Sequence, residues 1–405
     1  MPVFCLALSL IISSLSAQSL AAVETPLRSH RDPTLDKQPI RVVRAEPFLR
    51  MGGQQPMVQE GYFLVVHEEL GEIEAERYRL PTPDSTWKLT GRLGRLANGT
   101  IVAGFGTYLY WSRDEGRSWL GRQMDNLPGT VGPTDLRAFG VGRETIYVAH
   151  QLTTKPQLEI AGREVHDVAI SRSVDLGQTW EDSVMLQPPE PYTFLAGDGN
   201  HIVRLDDGTL LCALDTANHH VPDHSLQGWI AQAFFRSGDG GKTWGDVSLV
   251  KDTAAEVGLL PLSGRRVMAA MRGVPNPRLG GKTVQLFDSN DGGRSWANKR
   301  QLTWVFGQAH ADIAALPGGG VVAVYENRYP VDSPDIRARI SWDSGQTWEP
   351  ELYVLADGVG YSGSVGLADG TIVTVTGDGV RQAGKPAGRG YTLQAIRWRP
   401  LGPSR

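Results

Sequence analysis

The sequence predicts an all-β fold, a six-bladed β-propeller whose blades are four-stranded and antiparallel. Three observations predict it: an octapeptide that recurs five times, an apolar hairpin pattern that recurs six times, and the overall composition. The 405 residues include 48 glycines and 11 tryptophans, and only 21% of them are charged. This balance favours a β protein rich in turns over a helical one. The sequence also lacks a sustained apolar period of 3.6 residues over a helical length.

The chain opens with residues 1–22, MPVFCLALSLIISSLSAQSLAA, which are apolar, then small and polar, and end in alanine. This pattern predicts a cleaved signal peptide and hence a secreted or periplasmic protein. Its apolar part is too short to span a bilayer comfortably, so the mature chain is expected to have no membrane span. Cleavage leaves Cys212 as the single cysteine, without a disulfide partner, and its setting in TLLCAL predicts a core residue. The net charge of −4, without charge blocks, does not suggest nucleic-acid binding.

The octapeptide has the form Ser-x-Asp-x-Gly-x-Ser/Thr-Trp. Its copies begin at Ser112, Ser173, Ser237, Ser289 and Ser341. The steps between copies are 61, 64, 52 and 52 residues, which fits one four-stranded blade per copy. Asp can cap backbone N–H groups two residues on, and Gly supplies a positive φ, so the octapeptide predicts a tight turn. A calcium site is the alternative, but it needs several oxygen ligands and the pattern supplies one invariant carboxylate.

The hairpin pattern is an apolar strand, a turn and a second apolar strand, several with Leu-x-Asp/Asn-Gly at the turn. It occurs at 92–106, 138–150, 201–214, 257–272, 312–328 and 364–377. Six hairpins and five octapeptides predict six blades, one of which lacks the octapeptide. We expect residues 39–51, PIRVVRAEPFLRM, to close that blade. The domain division that follows is a signal peptide at 1–22, an N-terminal segment at 23–84 and the propeller at 85–405.

The octapeptides match the Asp box, or BNR repeat, of the sialidase (neuraminidase) superfamily, and the resemblance covers about residues 85–380. It implies a propeller whose boxes lie at the blade periphery, so function rests on other residues. It also implies a catalytic set of three carboxylate-binding arginines, a nucleophilic Tyr, a Glu that activates it and an Asp acid/base. Arginine grips a carboxylate with a planar fork, and a neutral Tyr avoids the repulsion that the sugar carboxylate would exert on an anion.

Four residues stand where this set is expected. Tyr361, in GVGYSGSVGLADGTIV, resembles the nucleophile, and Glu256 and Arg272 flank the fourth hairpin where the superfamily has its Glu and second Arg. Arg328, in VYENR, resembles the third clamp arginine, with Arg337 and Arg339 in DIRARIS as competitors. The alternative is a buried structural Tyr, an exposed Glu and a surface Arg.

Arg92, in GRLGRLANGT, resembles the first clamp arginine of an Arg-Ile-Pro motif, although Leu93-Gly94 stands in place of Ile-Pro. Arg50 and Arg95 are alternatives to it. Two histidines, His201 and His310, open the third and fifth hairpins. They are expected either to line the central funnel and contact substrate or to cap strand ends.

The acid is the clearest departure from the superfamily, which carries its Asp in a long loop between the first hairpin and the first box. Here only TYLYW, residues 107–111, fills that interval, so Asp135 in GPTDLRAF is the candidate acid from the next blade. The loop at 215–229 is expected to overhang the funnel. It contains His219, His220 and His224, a set that exposed loops often carry, so neither a metal nor a cofactor is predicted.

The leading hypothesis is an exported, sialidase-like glycoside hydrolase that cleaves terminal acidic sugars from glycans. A second hypothesis keeps the pocket but makes the protein a propeller polysaccharide lyase acting on uronates. A third is a non-catalytic binding or assembly propeller, for which the Tyr, Glu and Arg side chains would not converge.

Overall fold

The structure is a computed structural model that describes residues 27–29, 35, 38–45, 67–81, 91–160, 163–197, 199–218, 230–251, 253–273, 283–303, 307–328, 334–358, 360–378 and 392–403. The predicted signal peptide at 1–22, the predicted strand residues 46–51, and the loop histidines His219, His220 and His224 lie outside them. Within these ranges no helix has the length and apolar character needed to cross a membrane. Regular structure there is almost entirely β-strand, with one short 3₁₀ turn at Pro317–Gly319.

The strands of the first half are β1 (Leu27–Arg28), β2 (Ile40–Ala45), β3 (His67–Ile73), β4 (Glu76–Leu80), β5 (Gly91–Arg95), β6 (Ile101–Phe105), β7 (Tyr108–Ser112), β8 (Leu120–Gln123), β9 (Leu136–Val141), β10 (Ile146–Ile160), β11 (Arg163–Ser173), β12 (Val184–Met185), β13 (Phe194–Ala196) and β14 (Asn200–Arg204). Those of the second half are β15 (Leu210–Ala217), β16 (Ile230–Ser237), β17 (Gly245–Lys251), β18 (Thr253–Pro261), β19 (Val267–Gly273), β20 (Val284–Ser289), β21 (Ala297–Gln301), β22 (Gln308–Ala315), β23 (Val321–Asn327), β24 (Asp335–Ser341), β25 (Glu351–Asp357), β26 (Ser362–Gly366), β27 (Ile372–Asp378) and β28 (Thr392–Trp398).

Most of these strands form antiparallel meanders whose innermost strands close a ring. The innermost strands β5, β9, β14, β18, β22 and β26 contact one another in that order, and β26 contacts β5. Neighbouring β9 and β14 run parallel, and each later meander repeats the same strand order. The innermost strands therefore all start at one end of the ring and finish at the other. The fold is all-β and propeller-like, as the sequence predicts.

The prediction of separate four-stranded sheets is met only in part. By hydrogen bonding, the described strands form five sheets of five, nine, four, six and four strands. The nine-stranded sheet arises because β14 pairs in parallel with β9 and so joins two meanders. The five-stranded and six-stranded sheets gain edge strands from the N-terminal segment, namely β1 in the former and β2 and β3 in the latter.

The predicted closing strand was wrong in its position. Within residues 39–51, Ile40–Ala45 pairs with β25, in the meander before the one that lacks the octapeptide. The last meander instead takes β4 as its fourth strand, against β28. The apolar Ile40 and Val42 suit the core beside β25, whereas β4 is locked in place by Arg77, whose guanidinium binds the Gln394 side chain and the Leu355 carbonyl.

The octapeptide forms a turn between the third and fourth strands of its meander, as predicted. In the copy at Ser237, the Ser hydroxyl binds Asp239 at 2.8 Å, and Asp239 accepts bonds from the Thr243 N–H and hydroxyl at 2.9 and 2.7 Å. Gly241 has φ +87° and donates its N–H to the Ser237 hydroxyl. The last meander has no octapeptide because its third and fourth strands, β28 and β4, are not consecutive in the chain.

The core lies between successive sheets and consists of aliphatic and aromatic side chains from neighbouring meanders. Cys212 belongs to it and is fully buried, as its apolar setting predicts. Burial raises the pKa of its thiol well above the ordinary value, which leaves it unreactive.

Candidate active site

Residues at or just before the starts of the innermost strands meet at one end of the ring. They are Arg92, Asp135, His201, Glu256, His310 and Tyr361. The octapeptide turns lie at the opposite end, where backbone bonds join them to the hairpin turns, as between Gly292 and Arg265. The two features are therefore separated by the length of a blade, as the resemblance implies.

Glu256 and His310 occupy corresponding irregular positions on two adjacent innermost strands. The pairing register of β18 shifts between Thr253 and Val257, and that of β22 shifts between Ala309 and Asp312. Within these shifts Glu256 has φ +63° and His310 has φ +56°. A non-glycine residue in this left-handed region costs about 1–2 kcal/mol. Such strain persists where surrounding structure enforces it, and it is common at functional sites.

Tyr361 and Glu256 are hydrogen-bonded to each other, although 105 residues separate them in the chain. The Tyr361 hydroxyl donates to Oε1 of Glu256 at 2.9 Å. Glu256 is 3% exposed and Tyr361 is half-buried. The His310 ring stacks on the Tyr361 ring, with centroids 4.2 Å apart and planes within 10°. The three side chains therefore form one packed unit.

Two arginines complete this cluster, each bound to a buried carboxylate. Nη1 of Arg272 lies 2.6 Å from both oxygens of Glu256, and Arg328 binds Glu326 through its Nε. Both guanidiniums remain about a fifth exposed, whereas both carboxylates are almost fully covered. Among the described residues, Nη2 of Arg272 and Nη1 of Arg328 have no hydrogen-bond partner. These nitrogens are available to an anionic ligand.

His310 bridges the two carboxylates. Its Nε2 lies 2.8 Å from Glu256 and its Nδ1 lies 2.5 Å from Glu326. The arginine nitrogens lie farther from the ring, at 3.3 Å for Arg272 and 3.0 Å for Arg328. The ring is therefore held between the two carboxylates and their arginines.

The carboxylates of the cluster are held ionised. Burial would raise the pKa of Glu256, but the charges of His310 and Arg272 and the hydrogen bonds from His310 and Tyr361 outweigh it and lower the pKa. The pKa of Glu326 is likewise lowered, since the charges of His310 and Arg328 outweigh burial. Both groups can therefore accept hydrogen bonds near neutral pH.

A buried polar layer lies directly beneath the cluster. Arg92, His201 and Asp312 come from alternate innermost strands and meet near the ring axis. Asp312 is 3.9 Å from Nη1 of Arg92 and 3.5 Å from Nε2 of His201. Both distances are longer than ordinary hydrogen bonds, and Nε and Nη2 of Arg92 and Oδ1 of Asp312 have no hydrogen-bond partner. Burial raises the pKa of Asp312 to about 6 despite the charge of Arg92.

Two predicted substrate-binding residues belong to this layer, and their role in binding substrate stays a prediction. Arg92 is fully buried and donates to the Ser362 carbonyl at 3.1 Å, because β26 packs over it. His201 is almost fully buried, and its Nδ1 contacts the backbone N and O of Leu259 at 2.9 and 3.0 Å. Burial and the charge of Arg92 lower the pKa of His201 well below its ordinary value, so it is neutral.

Arg337 was also predicted to bind substrate, and that role stays a prediction. It lies on β24, the third strand of its meander, and binds Asp335 on the same strand with two hydrogen bonds of 2.6 and 2.9 Å. Alternation along the strand places this Asp–Arg pair on one face, where it is almost fully buried. Asp135 is half-buried just before β9, at the same end of the ring as Tyr361, and its role as acid stays a prediction.

One carboxylate was missed from the sequence, Glu326, whereas Asp312 was expected beside His310 at the opening of the fifth hairpin. Glu326 interrupts an apolar hairpin strand, in VVAVYENR. A charged residue in such a strand needs a partner, which was the available signal.

A family model described as a BNR repeat-like domain matches residues 161–374, just over half of the chain. The chain belongs to this BNR repeat-like family. The resemblance of its octapeptides to the sialidase superfamily is thereby confirmed. No curated protein matches the sequence.

Solved structures agree on the fold. The Hadza microbial sialidase Hz136 is 16% identical, with a TM-score of 0.54 over 92% of each chain. A protein of unknown function from Dyadobacter fermentans is 17% identical, with a TM-score of 0.55 over 80% of this chain and 98% of its own. The NanB sialidase from Streptococcus pneumoniae is 12% identical, with a TM-score of 0.54 over 79% of this chain and 70% of its own. At these identities the likeness establishes a shared fold.

Proposed function

We propose that this BNR repeat-like protein is a glycoside hydrolase that removes a terminal acidic, sialic-acid-like sugar from glycans. The observation that carries the proposal is the 2.9 Å hydrogen bond from Tyr361 to Glu256. A general base must lie within about 2.6–3.2 Å of the proton it removes, and this pair meets that distance. Scattered side chains, expected of a non-catalytic propeller, are not what the geometry shows.

In the proposed reaction Tyr361 is the nucleophile and Glu256 its base. The Tyr361 oxygen attacks the anomeric carbon as Glu256 takes its proton, and the glycosidic carbon–oxygen bond breaks. Asp135 is the proposed donor of the proton that the leaving oxygen gains. In the second step Asp135 takes a proton from water, whose oxygen attacks the anomeric carbon; the bond from that carbon to the Tyr361 oxygen breaks, and Glu256 returns the proton to Tyr361. His310, stacked on the Tyr361 ring, holds the phenol in place during both steps.

Arg272 and Arg328 are the proposed binding groups for the sugar carboxylate. Each presents one unoccupied Nη nitrogen, and arginine is suited to carboxylate recognition. Because Arg92 is buried, two of the three predicted clamp arginines, Arg272 and Arg328, face the funnel in the part of the chain that the structure describes. This arrangement differs from the three-arginine clamp that the resemblance implies.

The same proposal treats the six meanders as six blades around one axis. Its support is the closed ring of innermost strands and the assignment of β4 as the fourth strand of the last meander. In this arrangement the funnel mouth is the end of the ring where Tyr361 lies. We further propose that residues 1–22 direct export, which amino-terminal sequencing of the protein recovered outside the cytoplasm would test.

The experiment is turnover of a fluorogenic α-sialoside by the folded protein, run beside uronate polymers. Release of the fluorophore supports the hydrolase. Ultraviolet absorbance of an unsaturated uronate would instead favour a lyase, for which the stacked His310–Tyr361 pair beside Arg272 offers a base, an acid and a carboxylate-binding group. The enzymatic proposal would be refuted if the folded protein turned over neither the sialoside nor the uronate polymers, and no other anionic glycoside either.

A further inference from the structure

The ring encloses a second cavity at the end opposite Tyr361. Its volume is about 500 Å³, within the range of small-molecule sites, and it is lined by the innermost strands of all six meanders. None of the six residues of the Tyr361 cluster, which are Glu256, Arg272, His310, Glu326, Arg328 and Tyr361, lines it. Along β18 its lining begins at Leu259, three residues beyond Glu256, which corresponds to about 10 Å at roughly 3.3 Å per residue. The buried layer of Arg92, His201 and Asp312 separates the two sites, and His201 of that layer also lines the cavity.

The mouth of this cavity is formed by one position that recurs in every hairpin, the residue just before the turn motif. In chain order these residues are Arg95, Val141, Arg204, Pro261, Ala315 and Gly366, and all six line the cavity. The hairpin repeat therefore builds a ring of six equivalent positions. Its composition differs around the ring, so the mouth is not symmetric.

One side of the mouth is basic. Arg95 and Arg204 belong to the ring, and Arg143 lies between them in the hairpin turn of the second meander. All three are exposed, and none makes an ion pair among the described residues. No carboxylate lines the cavity. Arg204 interacts electrostatically with Asp207 in its own hairpin turn, but three arginines together keep this side of a concave site positive, which attracts an anion.

The other side of the cavity is apolar. Leu260, Pro261, Ile313 and Ala314 line it, and the wall includes strands in close backbone contact. At Gly366, in the last meander, a Cβ atom would lie 2.2 Å from the Ala315 carbonyl oxygen. Only glycine allows such an approach, so the two strands pack closely at this part of the wall.

We propose that this cavity binds a small organic anion with an apolar portion, such as a medium-chain carboxylate. The arginines on the first three meanders receive the charged group, and the apolar wall on the last three receives the chain. The site is separate from the proposed catalytic cluster, and its occupancy does not depend on the proposed activity.

The test uses octanoate as the probe, with calorimetry on the full chain. Saturable one-to-one binding is expected, with octan-1-ol binding at least about tenfold more weakly because it lacks the charge. The double variant Arg95→Gln/Arg204→Gln should lose about tenfold or more in affinity. The matched control Arg113→Gln removes an exposed arginine on the blade exterior and should bind as the unaltered protein does.

A second variant tests the location of the site. Ala315 is exposed at the cavity mouth, so Ala315→Trp should fill the cavity and abolish octanoate binding while leaving the melting temperature unchanged. Absent or non-saturable octanoate binding would overturn the proposal. So would equal affinity for octanoate and octan-1-ol, or equal affinity in the arginine double variant and Arg113→Gln.

Discussion

Replacing Glu256 by Gln should destabilise the protein and change the pH dependence of its stability. The carboxylate is 3% exposed and contacts Arg272, His310 and Tyr361 at 2.6–2.9 Å. Removing one partner of a buried ion pair costs about 3–5 kcal/mol. Gln keeps the size and one acceptor oxygen, and Arg272 is partly exposed, so we expect about 3 kcal/mol, the lower end of that range.

The lowered pKa of Glu256 determines how the stability difference changes with pH. The pKa of Glu256 in the folded protein lies below its ordinary value of 4.5. Its ionised form therefore stabilises the fold fully above about pH 4.5, and the stabilisation is lost as the pH falls through the folded pKa. The difference in unfolding free energy between the unaltered protein and Glu256→Gln should accordingly shrink below pH 4.5.

The assay is denaturant unfolding at several pH values, with Glu68→Gln as a matched control. Glu68 pairs with Arg44 on the surface at 3.2 Å, and an exposed pair contributes only about 0–1 kcal/mol. Equal stability of the two variants at pH 7 would refute the buried ion-pair account of Glu256. A loss that stayed constant down to pH 3 would refute the assigned charge.

Three further predictions concern other residues. Asp312 is fully buried and its pKa is raised to about 6, so its ionisation destabilises the fold. As the pH rises from about 4 to about 6, the denaturant midpoint of the unaltered protein should therefore fall relative to that of Asp312→Asn. Asp291→Ala removes the hydrogen bonds of an octapeptide turn and should lower stability by about 1–3 kcal/mol, while KM stays unchanged because the turn lies at the opposite end of the ring. Arg337→Gln should also leave KM unchanged, since Arg337 is held by Asp335; a large rise in KM would return it to the binding site.

The sequence pattern predicted the parts of the fold in which a particular residue type is needed for a particular backbone geometry, as in the octapeptide turns. The octapeptide needs an Asp to bind its own turn and a Gly at positive φ, so five copies marked five turns. The closing strand was mistaken because ERYRL, residues 76–80, has no apolar run. It is held by its backbone ladder and by the buried Arg77, neither of which leaves a periodic signal.

For the candidate site, position along the hairpins was sufficient to bring Tyr361, Glu256, Arg272 and Arg328 together. Position along the hairpins did not predict how far each side chain lies below the funnel mouth. Arg92 and His201 also open innermost strands, yet they lie in the buried layer beneath the Tyr361 cluster. This difference depends on the register between neighbouring strands, which a single sequence does not reveal. The bulge that turns His310 towards Tyr361 is likewise a tertiary feature, as its left-handed backbone has no signature in QAHADIA.

The most direct test of the central claim is turnover of a fluorogenic α-sialoside by the unaltered protein and by Tyr361→Phe. Tyr147→Phe is the control, since its hydroxyl binds the Gly240 carbonyl within an octapeptide turn. If Tyr361 is the nucleophile, its variant should lose about 100-fold or more in kcat while Tyr147→Phe retains full turnover. Equal kcat values for Tyr361→Phe and the unaltered protein would contradict the account.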